Sequence, residues 1–314
     1  MNGGLNVVIG ASGGVGSAVT RLLAGDSVNV RAANRSGSFD APAAVETVAT
    51  DALDAETVRQ TCAGAATVFH CAHPEEDYSQ FVPMTENIVA GAEAAGAKLI
   101  MAASAYPYGK VDGPMTEDMP YHPEAPSGEY HARGAEIVME AHEAGRVRAA
   151  IGRASNYFGP NAGRTWPGID FEDARKGETA QVIGDVDEPH TYTYVDDFAN
   201  ALITLAENEQ ALGQVWHVPG AETLTTRQFL EMVYSEANHE LNIRAGSRFI
   251  LTVMGWFNSD IVPALEVLYQ FERPFILDDT KYRTAFGGEA TPSEVAIRRT
   301  LGWFQDRDEA AARA

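Results

Sequence analysis

The feature that most constrains the fold is a glycine-rich turn directly after the first apolar run of the chain. The run LNVVIG ends at Gly10, and Gly13 and Gly16 follow at intervals of three residues. In a strand–turn–helix unit, the first glycine permits a tight turn, the second lets the backbone approach a pyrophosphate, and the third lets the helix pack close to the strand. The free N–H groups at the start of the helix bind the anion. The sequence therefore predicts a nucleotide-binding βαβ unit.

Apolar runs of strand length alternate with helix-length segments through the first half of the chain. Parallel strands need crossover connections, and right-handed crossovers place helices on both faces of a sheet. The alternation therefore predicts an α/β fold with a doubly wound parallel sheet of the Rossmann type. We predict strands at 5–10, 27–34, 44–50, 66–72, 97–104 and 147–154, and helices near 14–24, 54–62, 80–95 and 129–144.

After residue 155 the pattern loosens into segments rich in Gly, Pro, Asn and Asp, which are typical of loops. We expect a dinucleotide-binding domain over 1–155 and a smaller C-terminal α/β lobe, mainly for substrate, over 156–314. Segments near 180–220 are expected to return to the first domain. Further helices are predicted at 196–207, 225–238, 260–270 and 292–304, and a strand at 214–220.

Composition and charge exclude several classes of protein. The 314 residues carry 44 acidic and 23 basic side chains, for a net charge of -21. Such a surface repels nucleic acid and anionic membranes, and it suits either a halophilic source or an ordinary acidic cytosolic protein. No apolar run reaches the roughly 18 residues that cross a bilayer, and no basic region precedes the first apolar run, so we expect a cytoplasmic protein without a signal peptide.

The segment HCAH at 70–73 is the one cluster of metal-ligand residue types in the sequence. Neighbours at the end of a strand point to opposite faces, so we predict no metal site there. The two cysteines, Cys62 and Cys71, are too few for a disulfide framework.

Motifs beyond the glycine turn allow a comparison with known families. The spacing G-x-x-G-x-x-G resembles that of the short-chain dehydrogenase/reductase superfamily, and the later motifs are similar to those of its extended and atypical, epimerase/dehydratase-like branches. The resemblance covers about residues 5–220. The later motifs are TDALD (50–54), VFHCAH (68–73), SAYPYG (104–109), RASNYFGP (153–160) and HTYTYVDDFANAL (190–202).

The resemblance implies an NAD(P)-dependent oxidoreductase and a set of cofactor contacts. After the second strand, Asn34 and Arg35 stand where an acidic residue would bind a ribose 2'-hydroxyl, and a guanidinium suits a 2'-phosphate. We therefore favour NADP(H), with NAD(H) as the alternative. The implied cofactor residues are Gly10, Ser12, Gly13, Gly14, Val15, Gly16, Asn34, Arg35, Asp51, Ala52, Cys71, Ala72, His73 and Tyr130.

The resemblance also implies the catalytic residues Ser104 and Tyr130. In such enzymes a serine and a tyrosine bond the reacting oxygen, and a lysine four residues after the tyrosine binds the nicotinamide ribose and lowers the pKa of the phenol. Here the fourth residue after Tyr130 is Gly134. This glycine either permits close approach by cofactor or water, or reflects relaxed selection. A phenol without a nearby cation stays protonated at neutral pH, which favours carbonyl reduction over alcohol oxidation.

Nearby residues offer weaker alternatives for the missing lysine. Tyr106 and Lys110 have the same four-residue spacing, but the intervening proline and glycine disfavour a helix there. Arg133 lies three residues after Tyr130 and could supply charge. His131 points about 100° away on a helix, and we expect it to be partly exposed.

Three functions remain open. The favoured one is an NADP(H)-dependent oxidoreductase acting on a small carbonyl, alcohol or sugar-like substrate; the others are a non-catalytic NADP(H)-binding sensor and a nucleotide-sugar epimerase or dehydratase. Candidate substrate contacts are Asn156, Tyr157, Trp166, His190 and Tyr192. The resemblance also favours a homodimer through the helices at 80–95 and 129–144, with Phe81, Met84, Ile88, Ile137 and Val138 as contacts.

Overall fold

Seven parallel strands form the central layer of the protein in a computed structural model that describes residues 4–26, 28–74, 77–162, 170–256 and 262–313. The strand order is β10-β6-β5-β4-β1-β2-β3, and every neighbouring pair is parallel. The predicted doubly wound sheet is therefore confirmed. Its strands are β1 Leu5–Ile9, β2 Val30–Asn34, β3 Glu46–Ala49, β4 Ala65–His70, β5 Lys98–Ser104, β6 Arg148–Ala154 and β10 Val215–His217.

Helices cover both faces of this sheet. Helices α1 and α6 pack together on one face, and α2, α3 and α4 pack side by side on the other. Each face has its own buried cluster of apolar side chains, which explains why the inner strands are apolar throughout rather than alternating. These helices are α1 Gly14–Gly25, α2 Ala55–Cys62, α3 Phe81–Ala95, α4 Pro126–Glu143 and α6 Val195–Glu207.

The helix starts differ in a way that bears on the site. The carboxylate of Asp54 caps α2 by accepting hydrogen bonds from the backbone N–H groups of Glu56 and Thr57. Helix α1 has Gly13 at its N-cap, and no side chain caps it. Its first N–H groups are therefore not occupied by a side-chain cap of its own.

The C-terminal lobe contains two small sheets and six helices within the described residues. One sheet has the order β11-β9-β7, and the other pairs β12 with β8. The strands are β7 Asn156–Phe158, β8 Ala180–Ile183, β9 Pro189–Tyr194, β11 Thr223–Thr225 and β12 Ile243–Gly246. The helices are α5 Phe171–Lys176, α7 Thr226–Glu236, α8 Arg248–Gly255, α9 Val262–Val267, α10 Thr280–Phe286 and α11 Ser293–Arg313.

The order of the central strands reverses between β1 and β4, which lie side by side but lead to helices on opposite faces. Ligands of open α/β sheets bind at such a reversal, beyond the carboxyl ends of the strands. Gly10 follows β1, and Cys71 follows β4. The chain topology therefore brings the glycine turn and the end of β4 to one crevice.

Four of the five residues expected at a dimer interface lie in the interior instead. Phe81 is 1% exposed, Ile88 and Val138 are 0% exposed, and Ile137 is 5% exposed, because all four belong to the cluster that α3 and α4 form against the sheet. Met84 is half-buried and faces the crevice. A homodimer stays a prediction, but these core residues cannot form its contacts.

No helix in the described part of the chain combines the length and the apolar character that a bilayer span requires.

Candidate active site

A cavity of about 1040 Å³ opens where the central strand order reverses. It runs from the glycine turn, past the ends of β2, β3, β4 and β5, to α4 and β7. It brings together most of the predicted site residues: Gly10, Ser12, Gly13, Gly14, Val15, Asn34, Arg35, Asp51, Ala52, Cys71, Ala72, His73, Ser104, Asn156 and Tyr157.

The glycines of the turn have distinct roles. Gly10 has a φ of +89°, and a Cβ there would lie 2.5 Å from backbone atoms of Cys71 and Ala72. A Cβ on Gly16 would lie 2.1 Å from the carbonyl oxygen of Gly10, and Gly16 does not line the cavity. Its role is to let α1 pack against the turn, not to contact a cofactor.

Gly13 and Gly14 form the floor of the cavity. A Cβ on Gly13 would meet only the carbonyl oxygen of Gly10, at 3.6 Å, so this position faces open space. A Cβ on Gly14 would lie 2.8 Å from Ala162, and Asn161 donates from Nδ2 to the carbonyl oxygen of Ser12 at 2.8 Å. The segment after β7 therefore lies directly over the start of α1, and together they fit a pyrophosphate against the helix N–H groups.

The far end of the cavity carries its charged groups. Arg35 and Asp51 both line it, and the Asp51 carboxylate accepts a hydrogen bond from the N–H of Leu53 at 3.0 Å. Asn34 donates from Nδ2 to Ser36 Oγ, while its buried Oδ1 accepts from no described group. An unpartnered amide oxygen and an arginine in the same cavity wall suit the hydroxyls and phosphate of an adenosine ribose.

Two serine hydroxyls lie in the cavity wall without partners. Ser104 ends β5, Ser155 follows β6, and the Oγ of each is buried with no hydrogen bond to any described residue. Unpartnered buried hydroxyls are costly and are expected to bind something. These observations support the predicted position of Ser104 in the site, and they add Ser155 to the candidate site residues.

The structure does not bring Tyr130 to this cavity. Its side chain is half-buried and packs against the apolar cluster on the α3 side of the sheet. Gly134, one turn later, faces α3, because a Cβ there would lie 2.6 Å from Cε1 of Phe81. Gly134 is thus a helix-packing position, and a side chain there would meet Phe81 rather than a cofactor.

His131 is the residue of α4 that lines the cavity, and Ser127 lies one turn before it on the same helical face. His131 is 5% exposed, so the expectation of a partly exposed side chain is wrong. Its ring lies between Phe81, at 4.5 Å between centroids, and Tyr106, at 5.4 Å. His131 therefore brings α4 to the cavity, whereas Ser127 is buried on the same helical face and does not line the cavity.

A hydrogen-bond chain fixes the tautomers of two cavity histidines. Nδ1 of His73 lies 2.7 Å from the carbonyl oxygen of Pro74, so this nitrogen carries the proton. His73 Nε2 then accepts from His131 Nε2 at 3.1 Å, which leaves His131 Nδ1 without a proton. Burial lowers the pKa of both histidines, most strongly that of His131. Both rings are therefore neutral at neutral pH, and neither supplies a cation.

Three tyrosines converge at the inner end of the cavity. Tyr78, Tyr106 and Tyr157 line it, and burial raises the pKa of each phenol, most strongly that of Tyr106. The neighbouring phenols add to the rise at Tyr106. All three hydroxyls therefore stay protonated at neutral pH.

The alternatives considered for the missing lysine lie elsewhere. Lys110 is exposed and pairs with Glu124 at 2.6 Å, although its sequence partner Tyr106 does reach the cavity. Arg133 is exposed and pairs with Glu136 and Glu140. Neither cation reaches the site.

Two predicted substrate residues support the wall without lining it. His190 is 1% exposed, stacks on Phe271 at 4.7 Å, and accepts from Nδ2 of Asn156 at 3.1 Å. Tyr192 is 4% exposed and bonds Thr226 at 2.8 Å, within the core. Trp166 lies outside the described residues.

The described residues contain no group of three His, Cys, Asp or Glu side chains arranged to hold a metal ion. Several lining residues were not singled out from the sequence, among them Tyr78, Ser155, Phe198 and Phe275. Tyr106 and His131 were considered but not placed in the site, and the structure brings both to the cavity.

Comparison with known sequences gives a family match and a distant relative. The profile of the NAD dependent epimerase/dehydratase family matches residues 6–218. A 3beta-hydroxysteroid-dehydrogenase/decarboxylase, isoform 2, of Arabidopsis thaliana is 25% identical over 299 residues, which cover 83% of this chain. The match spans 52% of the plant protein, about half of its length.

Comparison with solved structures supports the fold. A dTDP-glucose 4,6-dehydratase from Streptomyces venezuelae with NAD bound has a TM-score of 0.79 at 20% identity, covering 97% of this chain and 98% of that one. A UDP-glucose 4-epimerase from Thermotoga maritima has a TM-score of 0.80 at 18% identity, covering 96% and 99%. At these identities the likeness establishes the architecture.

Proposed function

The chain belongs to the NAD dependent epimerase/dehydratase family, and from this premise we propose that it is an NADP(H)-dependent oxidoreductase that favours reduction of a carbonyl substrate. One observation carries the proposal. The unpartnered hydroxyl of Ser104 and the protonated phenol of Tyr106 line the same cavity as the glycine turn. A cofactor held by the turn and an oxygen held by these hydroxyls would share one enclosed space.

The cofactor-binding half of the proposal rests on the fit of the residues present. The N–H groups at the start of α1 would bind the pyrophosphate, and Asn34 and Asp51 would bind the adenosine end. Arg35 favours a 2'-phosphate at that end, so NADP(H) is proposed over NAD(H). A nicotinamide bound in this way would supply the hydride chemistry at the substrate carbon.

Tyr106 is the proposed proton donor. Reduction develops negative charge on the carbonyl oxygen, which needs a neutral acid beside it. Burial raises the pKa of Tyr106 and so keeps its phenol protonated, and Ser104 supplies a second O–H donor. Alcohol oxidation would need a phenolate, which the neutral His131 ring does not stabilise. The same residues therefore favour reduction over oxidation.

A non-catalytic NADP(H)-binding sensor is the second candidate. It is favoured by the absence of lysine from the described cavity wall and by the position of Tyr130 away from it. A nucleotide-sugar epimerase or dehydratase, as two of the structural neighbours are named, is the third candidate. It requires a transient oxidation, for which the protonated phenols are poorly suited.

The test combines cofactor titration with turnover. The protein is titrated with NADPH and NADH by fluorescence, and NADPH oxidation is then followed across a panel of aliphatic, cyclic and aromatic ketones and aldehydes. The proposal predicts NADPH binding and oxidation dependent on a carbonyl compound. NADPH binding without oxidation across the panel would favour the sensor, and no binding of either nucleotide would contradict both functions.

A further inference from the structure

The cavity beyond Ser104 has an aromatic wall. Tyr106 and Phe275 approach from two loops, Phe198 from α6 and Tyr157 from β7. Tyr157 is 38% exposed, and its ring centroid lies 6.3 Å from that of Phe198. A planar or alicyclic ring system would cover this surface and remove it from water.

The described residues of this part of the wall carry no formal charge. Among the described lining residues, Arg35 is the only Lys or Arg and Asp51 is the only Asp or Glu. Both follow strands at the adenosine end. The histidines His73 and His131 are neutral, because burial lowers their pKa.

Two described cations near this region, Lys110 and Arg153, do not line it. Lys110 pairs with Glu124 at 2.6 Å, on the exposed surface. The guanidinium of Arg153 is fully buried 4.6 Å from the ring centre of Tyr108, and it does not line the cavity. Phosphate groups in proteins are usually met by Arg, Lys or a helix N-terminus, and α1 is already assigned to the cofactor.

The polar groups that do face this region suit a single oxygen. They include the unpartnered hydroxyls of Ser104 and Ser155 and the protonated phenol of Tyr106. Asn156 has its Nδ2 occupied by His190 and, at 3.4 Å, by Gln270. A few directed hydrogen-bonding groups in an apolar wall fix the orientation of a ligand that is otherwise apolar.

We infer that the substrate is an uncharged ketone or alcohol on a ring system, with its oxygen at Ser104 and its rings against Tyr157, and not a sugar nucleotide. The inference rests on the oxidoreductase function proposed above, because the oxygen is the reacting one. A sugar nucleotide would bring two phosphate charges to a wall whose described residues offer no cation other than Arg35 at the adenosine end, at the cost of their hydration.

The test measures binding separately from turnover. The protein is saturated with NADP⁺, which cannot reduce a ketone, and is titrated calorimetrically with α-tetralone and, in a second experiment, with UDP-glucose. We expect α-tetralone to bind and UDP-glucose not to bind at the same concentrations. Binding of UDP-glucose in preference to α-tetralone, or no binding of α-tetralone to protein that binds NADP⁺, would overturn the inference.

Two variants locate the binding. Tyr157→Ala should weaken α-tetralone binding about tenfold or more, because it removes the ring contact, and should leave NADP⁺ binding unchanged. Phe249→Ala is the matched control, since Phe249 is a 78% exposed ring on α8 outside the cavity. Equal α-tetralone affinity in the two variants would contradict the proposed position.

The outcome also separates this inference from the proposed function. If α-tetralone binds but supports no NADPH oxidation, the inferred ligand, an uncharged ring ketone, is retained and the proposed reductase function is rejected. If NADPH is oxidised only with phosphate-bearing sugars, the reductase proposal stands and the ligand class fails.

Discussion

Substitution of Gly134, which stands where the resemblance implies a lysine, tests whether this position is a contact between α4 and α3. A Cβ at this position would lie 2.6 Å from Cε1 and 3.0 Å from Cδ1 of Phe81, which is 1% exposed and packs against His131. We expect Gly134→Ala to force Phe81 to shift, at a cost of about 1–3 kcal/mol for an overpacked core. The higher helix propensity of alanine offsets about 1 kcal/mol of this cost, so we expect the free energy of unfolding to fall by about 0–2 kcal/mol.

Gly302 supplies the control. It lies inside α11, and a Cβ there would have no atom within 4 Å, so Gly302→Ala should gain up to about 1 kcal/mol from propensity alone. The two alanine variants should therefore differ by about 1–3 kcal/mol in free energy of unfolding, measured by denaturant titration. Phe81→Leu should reduce the extra cost of Gly134→Ala, because it removes the colliding ring atom.

A stabilisation by Gly134→Ala equal to that by Gly302→Ala would refute this account. The position would then be free of α3, and a lysine placed there could extend elsewhere. We expect Gly134→Lys to destabilise the protein and to leave the balance between oxidation and reduction unchanged.

Three further predictions follow from the site and the core. Arg35→Ala should raise the Kd for NADPH about 10- to 100-fold and leave that for NADH within about twofold, by fluorescence titration. Gly13→Asp should weaken binding of both nucleotides about a hundredfold or more, because the new carboxylate would face the pyrophosphate. The Tm should stay within about 2 °C, because the added Cβ enters open space. Retained nucleotide binding in this variant would count against the glycine turn as the binding site. Burial lowers the pKa of His70, His190 and His217 to about 3, whereas a histidine in the unfolded chain titrates near 6.5. The free energy of unfolding should therefore be highest above pH 6.5 and should fall as the pH drops towards 3. At pH 5.5 the loss should be about 1.4 kcal/mol per histidine, and His217→Gln should flatten the dependence by about that amount.

The central sheet was predictable because its signals are local and redundant. The strands around Val8, Phe69 and Ile100 are apolar on both faces, and each is followed by a helix-length segment. The strands of the C-terminal lobe were missed because they are short, polar or aromatic, and pair with distant partners. Strand β9, for example, lies in a segment interpreted as a loop and pairs with β7 and β11.

That most of the residues predicted to hold the nucleotide would line one cavity was also predictable, because a tight turn, a strand and a helix constrain each other within a few residues. The catalytic half of the site was not. A four-residue spacing fits Tyr130 and Gly134, but it fits Ser127 and His131 equally well. Only the packing of α4 on α3 decides that His131, and neither Tyr130 nor Gly134, lines the cavity. The signal in the sequence was the small residue at 134, which is typical of a close helix contact.

Tyr106 was set aside because no helix was expected between it and Lys110. The structure shows that a tyrosine can reach the cavity from the short turn after β5 without that lysine. Similarly, His190 and Tyr192 were expected at the surface of the site, but their strand β9 is covered by Phe271 and Phe229. Such burial depends on residues far along the chain and leaves no local pattern.

The most direct test of the account compares two tyrosine variants. NADPH oxidation is measured for Tyr106→Phe and Tyr130→Phe with a ketone that the unaltered protein reduces, and NADPH affinity is checked in both. The account predicts that Tyr106→Phe lowers kcat about a hundredfold at unchanged NADPH affinity, and that Tyr130→Phe stays within about twofold. Loss of turnover in Tyr130→Phe with activity retained in Tyr106→Phe would contradict it.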